Sequence, residues 1–154
     1  MGDLRPIILF DSSLSGSIDL GSPLPTITRA VNLNGNASNV VINGSGVSGT
    51  GLTINLAKTT SVPTVVLQYL TIGFFASGNG IHVQDLMLDG GNVVAGLELL
   101  NVQAGTNGQD GLLIDAPDAR SVQIMDSLFT DNVGDGLEVN GTQLIKQPLF
   151  CKFR

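Results

Sequence analysis

Apolar and polar residues alternate along short stretches of this chain, and no stretch shows the i, i+3, i+4 apolar spacing of an amphipathic helix. Glycine, asparagine, aspartate or serine bounds each alternating stretch, as is typical of the ends of short strands. The pattern therefore predicts an all-β protein, with strands over residues 7–10, 30–33, 39–42, 51–56, 64–72, 80–88, 95–102, 111–114, 121–129 and 136–139.

A glycine followed by apolar-x-apolar recurs along the chain, at Gly51, Gly80, Gly111 and Gly136. Subtraction of these positions gives intervals of 29, 31 and 25 residues, which lie in the range of stacked structural repeats. A second apolar unit precedes each of the last three glycines. Its first two copies align without a gap as Leu67-x-x-Leu70-x-Ile72 and Leu97-x-x-Leu100-x-Val102, and the third, VQIMDSLF, is looser.

Two or three strands per repeat, without a helix, predict a parallel β-solenoid with rungs of about 22–31 residues. Equivalent side chains of successive coils would then lie about 4.8 Å apart. We expect Asn79, Asn107 and Asn132 to form an amide ladder, although not in strict register. An antiparallel sandwich is the alternative, because Asn-Gly pairs such as Asn34-Gly35 also favour tight hairpins. The repeated glycine unit has no role in a sandwich and favours the solenoid.

The solenoid is expected to form one domain over residues 1–141. The last segment, TQLIKQPLFCKFR (142–154), breaks the repeat and has no glycine or asparagine turn. It is expected to be either a cap over the open end of the solenoid or the product of a truncated or shifted reading frame.

Charge and cysteine content limit the function classes. The chain has 7 Lys and Arg against 13 Asp and Glu, a net charge of −6, which argues against a nucleic-acid partner. A single cysteine, Cys151, excludes an intrachain disulfide. No apolar run is long enough to predict a membrane span, and the first ten residues, MGDLRPIILF, lack the pattern of a signal peptide.

The stretch GSIDLGSPLPTITRAVNLNGNASNVVINGSG (16–46) carries Gly16, Ile18, Leu20, Leu24-Pro25, Ile27-Thr28, Val31 and Gly35. It resembles the entry segment of bacterial right-handed parallel β-helix proteins of the CSLREA-domain and polymorphic outer-membrane type. The later unit Asn132–Val139 is similar to a generic rung of pectate-lyase-like β-helices. The resemblance covers about residues 7–141 and implies a right-handed parallel β-helix at an extracellular or bacterial outer-surface location. The CSLREA motif is absent, so we expect this chain to begin downstream of it. The resemblance implies no common enzyme activity.

Two carboxylates precede the glycines of successive repeats, Asp110 before Gly111 and Asp135 before Gly136. If stacked, they would be candidates for the acid and base of glycoside hydrolysis, or for holding Ca²⁺. Asp131 and Asp135 are weak candidates for a calcium site, although the EF-hand pattern fails at Val133. The favoured interpretation is that Asp-Gly forms a tight turn, and no cofactor is expected.

The remaining candidates lie at outward positions of predicted strands. His82 alternates with the apolar residues beside it, so we expect it to point outward, where Asp110 or Asp115 could pair with it. Glu98 and Glu138 are predicted to take equivalent outward positions and to contribute, with Tyr69, to a binding face. Solvated strand positions are the favoured interpretation of both glutamates. Tyr69, Phe74 and Phe75 either stack on sugars or fill a loop or the core.

These observations lead to three hypotheses. The first is a non-enzymatic β-helix module of a secreted or surface protein that acts in adhesion or glycan contact. The second is a fragment of a polysaccharide lyase, hydrolase or epimerase, with a site near Asp110, Asp135 and His82, and the third is a structural spacer. Three or more clustered carboxylates beside a lysine or arginine would favour the enzyme. Ladders of Asn, Thr and Ser would favour the other two hypotheses.

Overall fold

The computed structural model describes residues 5–14, 16–36, 40–56, 64–86, 96–116 and 121–140, and the backbone of 145–146 and 152–153. These residues form strands and turns, with no helix. The strands are β1 (Ile7–Leu9), β2 (Ser17–Asp19), β3 (Val31–Asn34), β4 (Val40–Asn43), β5 (Leu52–Asn55), β6 (Thr64–Gly73), β7 (Ile81–Asp85), β8 (Gly96–Gly105), β9 (Leu112–Ile114), β10 (Ser121–Met125), β11 (Leu128–Thr130), β12 (Leu137–Val139), β13 (Ile145–Lys146) and β14 (Lys152–Phe153).

The strands belong to two parallel sheets that are partly curled. Sheet B has four strands in the order β5-β7-β9-β12, and the other ten form sheet A. Every pairing between described strands is parallel. The prediction of an all-β chain is confirmed, and the antiparallel alternative is wrong for this part of the chain. Each predicted strand overlaps an observed one, but β2, β13 and β14 were not predicted and the run 121–129 contains two strands, β10 and β11.

Sheet A consists of two rows of strands that share β6 and β8. Row A1 contains β1, β3, residues 64–68, residues 96–100, β10 and β13, and row A2 contains β2, β4, residues 70–73, residues 102–105, β11 and β14. Along the chain, a strand of row A1 is followed by one of row A2 and then by one of sheet B, and this order repeats. We call each such cycle a level. Level 1 holds β1 and β2, level 2 holds β3–β5, level 3 holds β6 and β7, level 4 holds β8 and β9, and level 5 holds β10–β12.

The predicted glycine repeat matches the register of sheet B. Leu52 pairs with Ile81, Ile81 with Leu112, and Leu112 with Leu137. The second apolar position of the repeat is aligned in the same way, through Ile54, Val83, Ile114 and Val139. Aliphatic side chains therefore stack on one another between the sheets. Those that are 0% exposed include Ile54, Val65, Leu67, Ile72, Ile81, Val83, Leu97, Leu99, Val102, Leu112, Ile114 and Val122.

The predicted alignment of the second apolar unit is wrong by two residues. Leu67 pairs with Leu99, and Leu70 pairs with Val102. A slip of two residues keeps every side chain on the same face of a strand, so the alternation alone does not distinguish the two registers. The corner residues do distinguish them, because Tyr69 and Asn101 both have a left-handed backbone, with φ of 54° and 51°, and fall at the same position only in the observed register.

In levels 3 to 5, two corners contain left-handed residues. Tyr69, Asn101 and Asp126 lie between row A1 and row A2, and Phe74, Thr106 and Asp131 follow row A2. A left-handed backbone is uncommon outside glycine, and it is least expected for a β-branched or bulky side chain. The bends at these positions curl sheet A, because they turn the chain direction without interrupting the stacking of successive levels.

A third corner, where each level enters sheet B, is packed too closely for any side chain. A Cβ atom added to Gly51 would lie 2.5 Å from the carbonyl oxygen of Gly80. The equivalent distances are 2.8 Å from Gly80 to the oxygen of Gly111 and 2.7 Å from Gly111 to that of Gly136. These glycines are therefore required by the close approach of neighbouring levels.

The two ends of the described structure differ. A cavity of about 450 Å³ opens at level 1, where Phe10, Ile18, Leu20 and Leu24 line it with other apolar residues. At the other end, β13 pairs with β10 and β14 with β11, so parts of the atypical tail extend both rows of sheet A. The rest of segment 142–154, including Cys151, lies outside the described residues. Where the structure is described, no helix is long and apolar enough to cross a membrane.

Candidate functional site

Asp110 and Asp135 belong to one column with Asn79, at the residue before each stacked glycine. The Oδ1 atom of Asn79 accepts a hydrogen bond of 2.8 Å from the backbone N–H of Asp110. The Oδ1 atom of Asp110 accepts a bond of 2.7 Å from the N–H of Asp135. Each side chain thus satisfies a backbone donor of the next level, and an uncharged asparagine performs the same task in level 3. The turn interpretation of Asp-Gly therefore has a direct hydrogen-bonding basis.

The same column takes part in a cluster of carboxylates. Asp110, Asp135 and Glu138 each offer an oxygen, and these oxygens lie within 4.8 Å of one another. Asp110 is 9% exposed, Glu138 is half-buried and Asp135 is exposed. Calcium takes about six to eight oxygen ligands, so with one oxygen from each residue this cluster would supply half of them at most. The sequence predictions paired Asp135 both with Asp110 and with Asp131, and the structure groups it with Asp110 and Glu138.

The carboxylate cluster has no cationic side chain beside it in the described part of levels 4 and 5. The basic side chains that the structure describes, apart from His82, are Arg5 and Arg29. Arg5 precedes β1, and Arg29 follows Ile27, which bridges to Ile54 in β5. Both arginines therefore belong to the first levels, with β7 between them and the strands that hold the cluster. The cation that a uronate lyase needs is not provided by these residues.

Substitution of Asp110 separates the turn role from a catalytic or metal-binding role. We expect Asp110→Asn to leave the free energy of unfolding within about 0.5 kcal/mol of the parent, because the amide oxygen keeps the bond to Asp135 N–H, as Asn79 does one level earlier. Asp110→Ala is expected to lower it by about 1–3 kcal/mol, since a backbone donor loses its partner. Urea denaturation of both variants measures the difference. Equal losses in the two variants would contradict the turn role.

His82 lies on the outward face of sheet B and pairs with an acid of the next level. Its strand neighbours Ile81 and Val83 are buried, whereas its own side chain is 20% exposed. Its Nε2 atom is 3.1 Å from Oδ2 of Asp115. Asn140 donates from Nδ2 to Oδ1 of Asp115 at 2.7 Å and to Oε1 of Glu138 at 3.1 Å. We call His82, Asp115, Asn140 and Glu138 the sheet B network.

The Asn140 amide, with His82 as a smaller contributor, holds the pKa of the Asp115 carboxyl below its ordinary value, against the opposing effect of desolvation. A lowered pKa means that Asp115 stabilises the fold above the pKa of the unfolded chain and loses this contribution as the pH falls through the folded pKa. Its side chain is 41% exposed, so solvent screens the contribution.

The histidine–acid pair orients an imidazole, but the strand neighbours of His82 are Thr53 and Leu113, and neither is an activated nucleophile.

Of the three asparagines that were expected to form a ladder, Asn107 and Asn132 do so. Asn132 Oδ1 accepts bonds from both the backbone N–H and the side-chain amide of Asn107, at 3.1 and 2.9 Å. The Oδ1 atom of Asn107 accepts from the N–H of Phe75 at 3.3 Å. Phe75 therefore takes the equivalent position in level 3, and Asn79 belongs to the column of Asp110 instead. The ladder is a buried structural element, because Asn107 is 1% exposed.

The three aromatic candidates have different environments. Phe75 is 0% exposed and fills the core. Tyr69 is half-buried at the left-handed corner between rows A1 and A2. Phe74 is 46% exposed, has φ of 67°, and lines a cleft of about 170 Å³ with Thr71, Gln103, Thr106, Thr130 and Asp131. Of these three residues, Phe74 is the one whose ring is both exposed and part of a concave surface.

The predicted equivalence of Glu98 and Glu138 is wrong. Glu98 is in β8 of sheet A, where it pairs with Val66 and Gln123. Glu138 is in β12 of sheet B, where it pairs with Leu113. Both follow a glycine and a leucine in sequence, which explains the prediction, but the chain enters a different sheet after each glycine. They do not form one binding face.

Sequence reasoning missed Asn140, which joins Asp115 to Glu138, and the cleft around Phe74. The signal for the cleft was the spacing of Gly73-Phe74 and Gly105-Thr106, which become neighbours at the observed register. That signal can be recognised only with the correct offset between levels 3 and 4, and the predicted offset was wrong by two residues.

A scan against models of known protein families, a search of the curated proteins and a search of the solved structures each found no match for this chain.

Proposed function

We propose that this chain is a module of a right-handed parallel β-helix, exposed at a bacterial surface or secreted, that contacts glycans or other surfaces without catalysis of its own. Five successive passes through row A1, row A2 and the position of sheet B support the helical path, with Ile27 taking the place of a strand in the first pass. The right-handed sense follows from the strong preference of parallel crossovers for that hand.

The observation that carries the proposal is the arrangement of polar side chains outside the sheets. They bond to one another between levels, through pairs such as Asn32 with Gln68, Asn43 with Asp19, Asn55 with Gln84, and Asp115 with Asn140. Such ladders hold amide and carboxylate groups at the strand spacing of about 4.8 Å. A row of donors and acceptors at a regular spacing suits an extended polymer with repeated hydroxyl groups, such as a polysaccharide.

Retention in polysaccharide-containing gels tests the proposal. The protein is run in native gels that contain hydroxyethyl cellulose, galactomannan, arabinoxylan, polygalacturonate or alginate, and in a gel without polysaccharide. We expect slower migration in at least one of the polysaccharide gels. Equal mobility in every gel would contradict glycan contact.

A polysaccharide-active enzyme is the second candidate, because Asp110, Asp135 and Glu138 bring three carboxylates together. The hydrogen bond that commits Asp110 to the backbone and the absence of an arginine or lysine beside the cluster in the described residues favour the non-enzymatic proposal. Incubation with the same polysaccharides and measurement of new reducing ends distinguishes the two. If the parent protein releases new reducing ends and Asp135→Asn or His82→Ala abolishes that release, the chain is an enzyme instead.

A further inference from the structure

We propose that the cleft around Phe74 binds one hexose unit of a neutral glycan, with the ring of Phe74 as the stacking surface; this inference rests on the proposed glycan contact and assigns it a site. The cleft lies on the outside of row A2, at the corner that follows β6, β8 and β11. It is separate from the carboxylate cluster and from the sheet B network.

The backbone builds this cleft from equivalent residues of three levels. Gly73 pairs with Gly105 and Gly105 with Thr130, and the residues that follow them are the left-handed Phe74, Thr106 and Asp131. A Cβ on Gly73 would lie 2.5 Å from the oxygen of Gly105, so no side chain fills this position. Of these two glycines Gly105 lines the cleft, and Phe74 lines it as well.

The exposed aromatic ring is unusual for its position. Phe74 is 46% exposed although its neighbour Phe75 is fully buried, and its φ of 67° is a conformation that bulky side chains rarely adopt. Thr106 and Asp131 have the same left-handed backbone at the equivalent corner of the next two levels, so the fold itself fixes this conformation. The corner thus presents an apolar ring to solvent.

The composition of the cleft matches one face and one edge of a pyranose ring. The C–H groups of a sugar face are apolar and carry a small positive charge, and they pack against the negative face of an aromatic ring. Hydroxyl groups at the sugar edge need donors and acceptors, which Thr71, Gln103, Thr106, Thr130 and Asp131 supply. The volume of about 170 Å³ is below that of pockets for drug-sized ligands, and suits a single sugar unit.

The charge of the cleft selects a neutral sugar over a uronate. Among the described residues that line the cleft, Asp131 is the charged one. A uronate carboxylate bound there would be repelled by the Asp131 carboxylate, which is unfavourable in a partly desolvated site. The hydroxyl groups of a neutral hexose instead donate to the Asp131 carboxylate.

Two variants at each of two positions test this assignment in the gels described above. We expect Phe74→Ala to weaken retention by neutral polysaccharides by roughly tenfold or more, since the loss of a central aromatic contact has effects of this size. Val133→Ala is the matched control, because Val133 is 83% exposed, apolar, and outside the cleft lining. The midpoint of urea denaturation of both variants verifies that the fold is intact.

The chain has no tryptophan, so Phe74→Trp places the only indole in the cleft. Its emission is expected to change on titration with a neutral oligosaccharide from the retaining polymer, whereas that of Val133→Trp is not. If Phe74→Ala is retained by neutral glycans as strongly as the parent, the Phe74 site is wrong although glycan contact stands. The same holds if the indole emission changes equally in Phe74→Trp and Val133→Trp. Retention by polygalacturonate or alginate alone would overturn the neutral class. No retention by any polysaccharide would overturn the proposed function and this inference together.

Discussion

Replacement of Phe75 by alanine is expected to lower the free energy of unfolding by about 3–5 kcal/mol, which is a large part of the stability of a domain of this size. Phe75 is 0% exposed, and its ring packs directly on two glycines. A Cβ on Gly44 would lie 2.2 Å from a ring carbon, and one on Gly51 would lie 2.7 Å from another. Because the glycines have no side chains to move into the space, removal of the ring leaves a cavity.

Phe74→Ala is the matched control for Phe75→Ala, since it removes the same atoms from the adjacent residue. Phe74 is 46% exposed, and its removal is expected to change the unfolding free energy by less than about 1 kcal/mol. Urea denaturation followed by circular dichroism measures both variants, and an unchanged slope would show that stability alone has altered. Similar losses in the two variants would contradict the inward and outward placement of these rings.

Replacement of Gly111 by alanine is expected to lower the free energy of unfolding by about 2–3 kcal/mol, through overpacking between levels 4 and 5. The new Cβ would lie 2.7 Å from both the carbonyl oxygen of Gly136 and the Nδ2 atom of Asn132, and 3.0 Å from the oxygen of Ala104. Two of these three atoms belong to the backbone, so relief requires a shift of a whole level.

Gly21→Ala controls for the general effect of alanine in place of glycine. A Cβ on Gly21 has no heavy atom within 4 Å, and we expect this variant to be neutral or slightly more stable than the parent. Thermal unfolding of both variants gives the comparison. If Gly111→Ala unfolds at the same temperature as Gly21→Ala, the close stacking at the sheet B corner is wrong.

The sequence was sufficient to predict the strands of sheet B and their partners. Leu52, Ile81 and Leu112 follow glycines that the close approach of the next level requires, and Leu137 follows the glycine that Gly111 approaches, so the backbone marks the same position in these levels. In sheet A such a mark is weaker. Its corners are occupied by Tyr69, Asn101 and Asp126, which share a left-handed backbone but no chemistry, and the predicted register was two residues in error.

The sequence predicted the placement of candidate site residues only where that placement follows from the strands of sheet B. The outward direction of His82 followed from strand alternation, and a partner at Asp115 was anticipated. The role of Asp110 as an acceptor for Asp135 N–H, and the grouping of both with Glu138, required the distances between levels. The Phe74 cleft required the register of sheet A, because residues from β6, β8 and β11 contribute to it.

The parallel register affects how the chain folds and how its length can change. Each strand pairs with the strand one level away, from 23 residues apart for Val122 with Ile145 to 34 apart for Val31 with Val65. A further level would add its contacts at the same separation, however long the chain became. The entropy lost in closing each loop would stay nearly constant, and the mean contact separation relative to length would fall. A chain of this kind can gain or lose a complete level without slower closure of the others, so insertion or deletion of about 23–34 residues is the natural unit of change in its length.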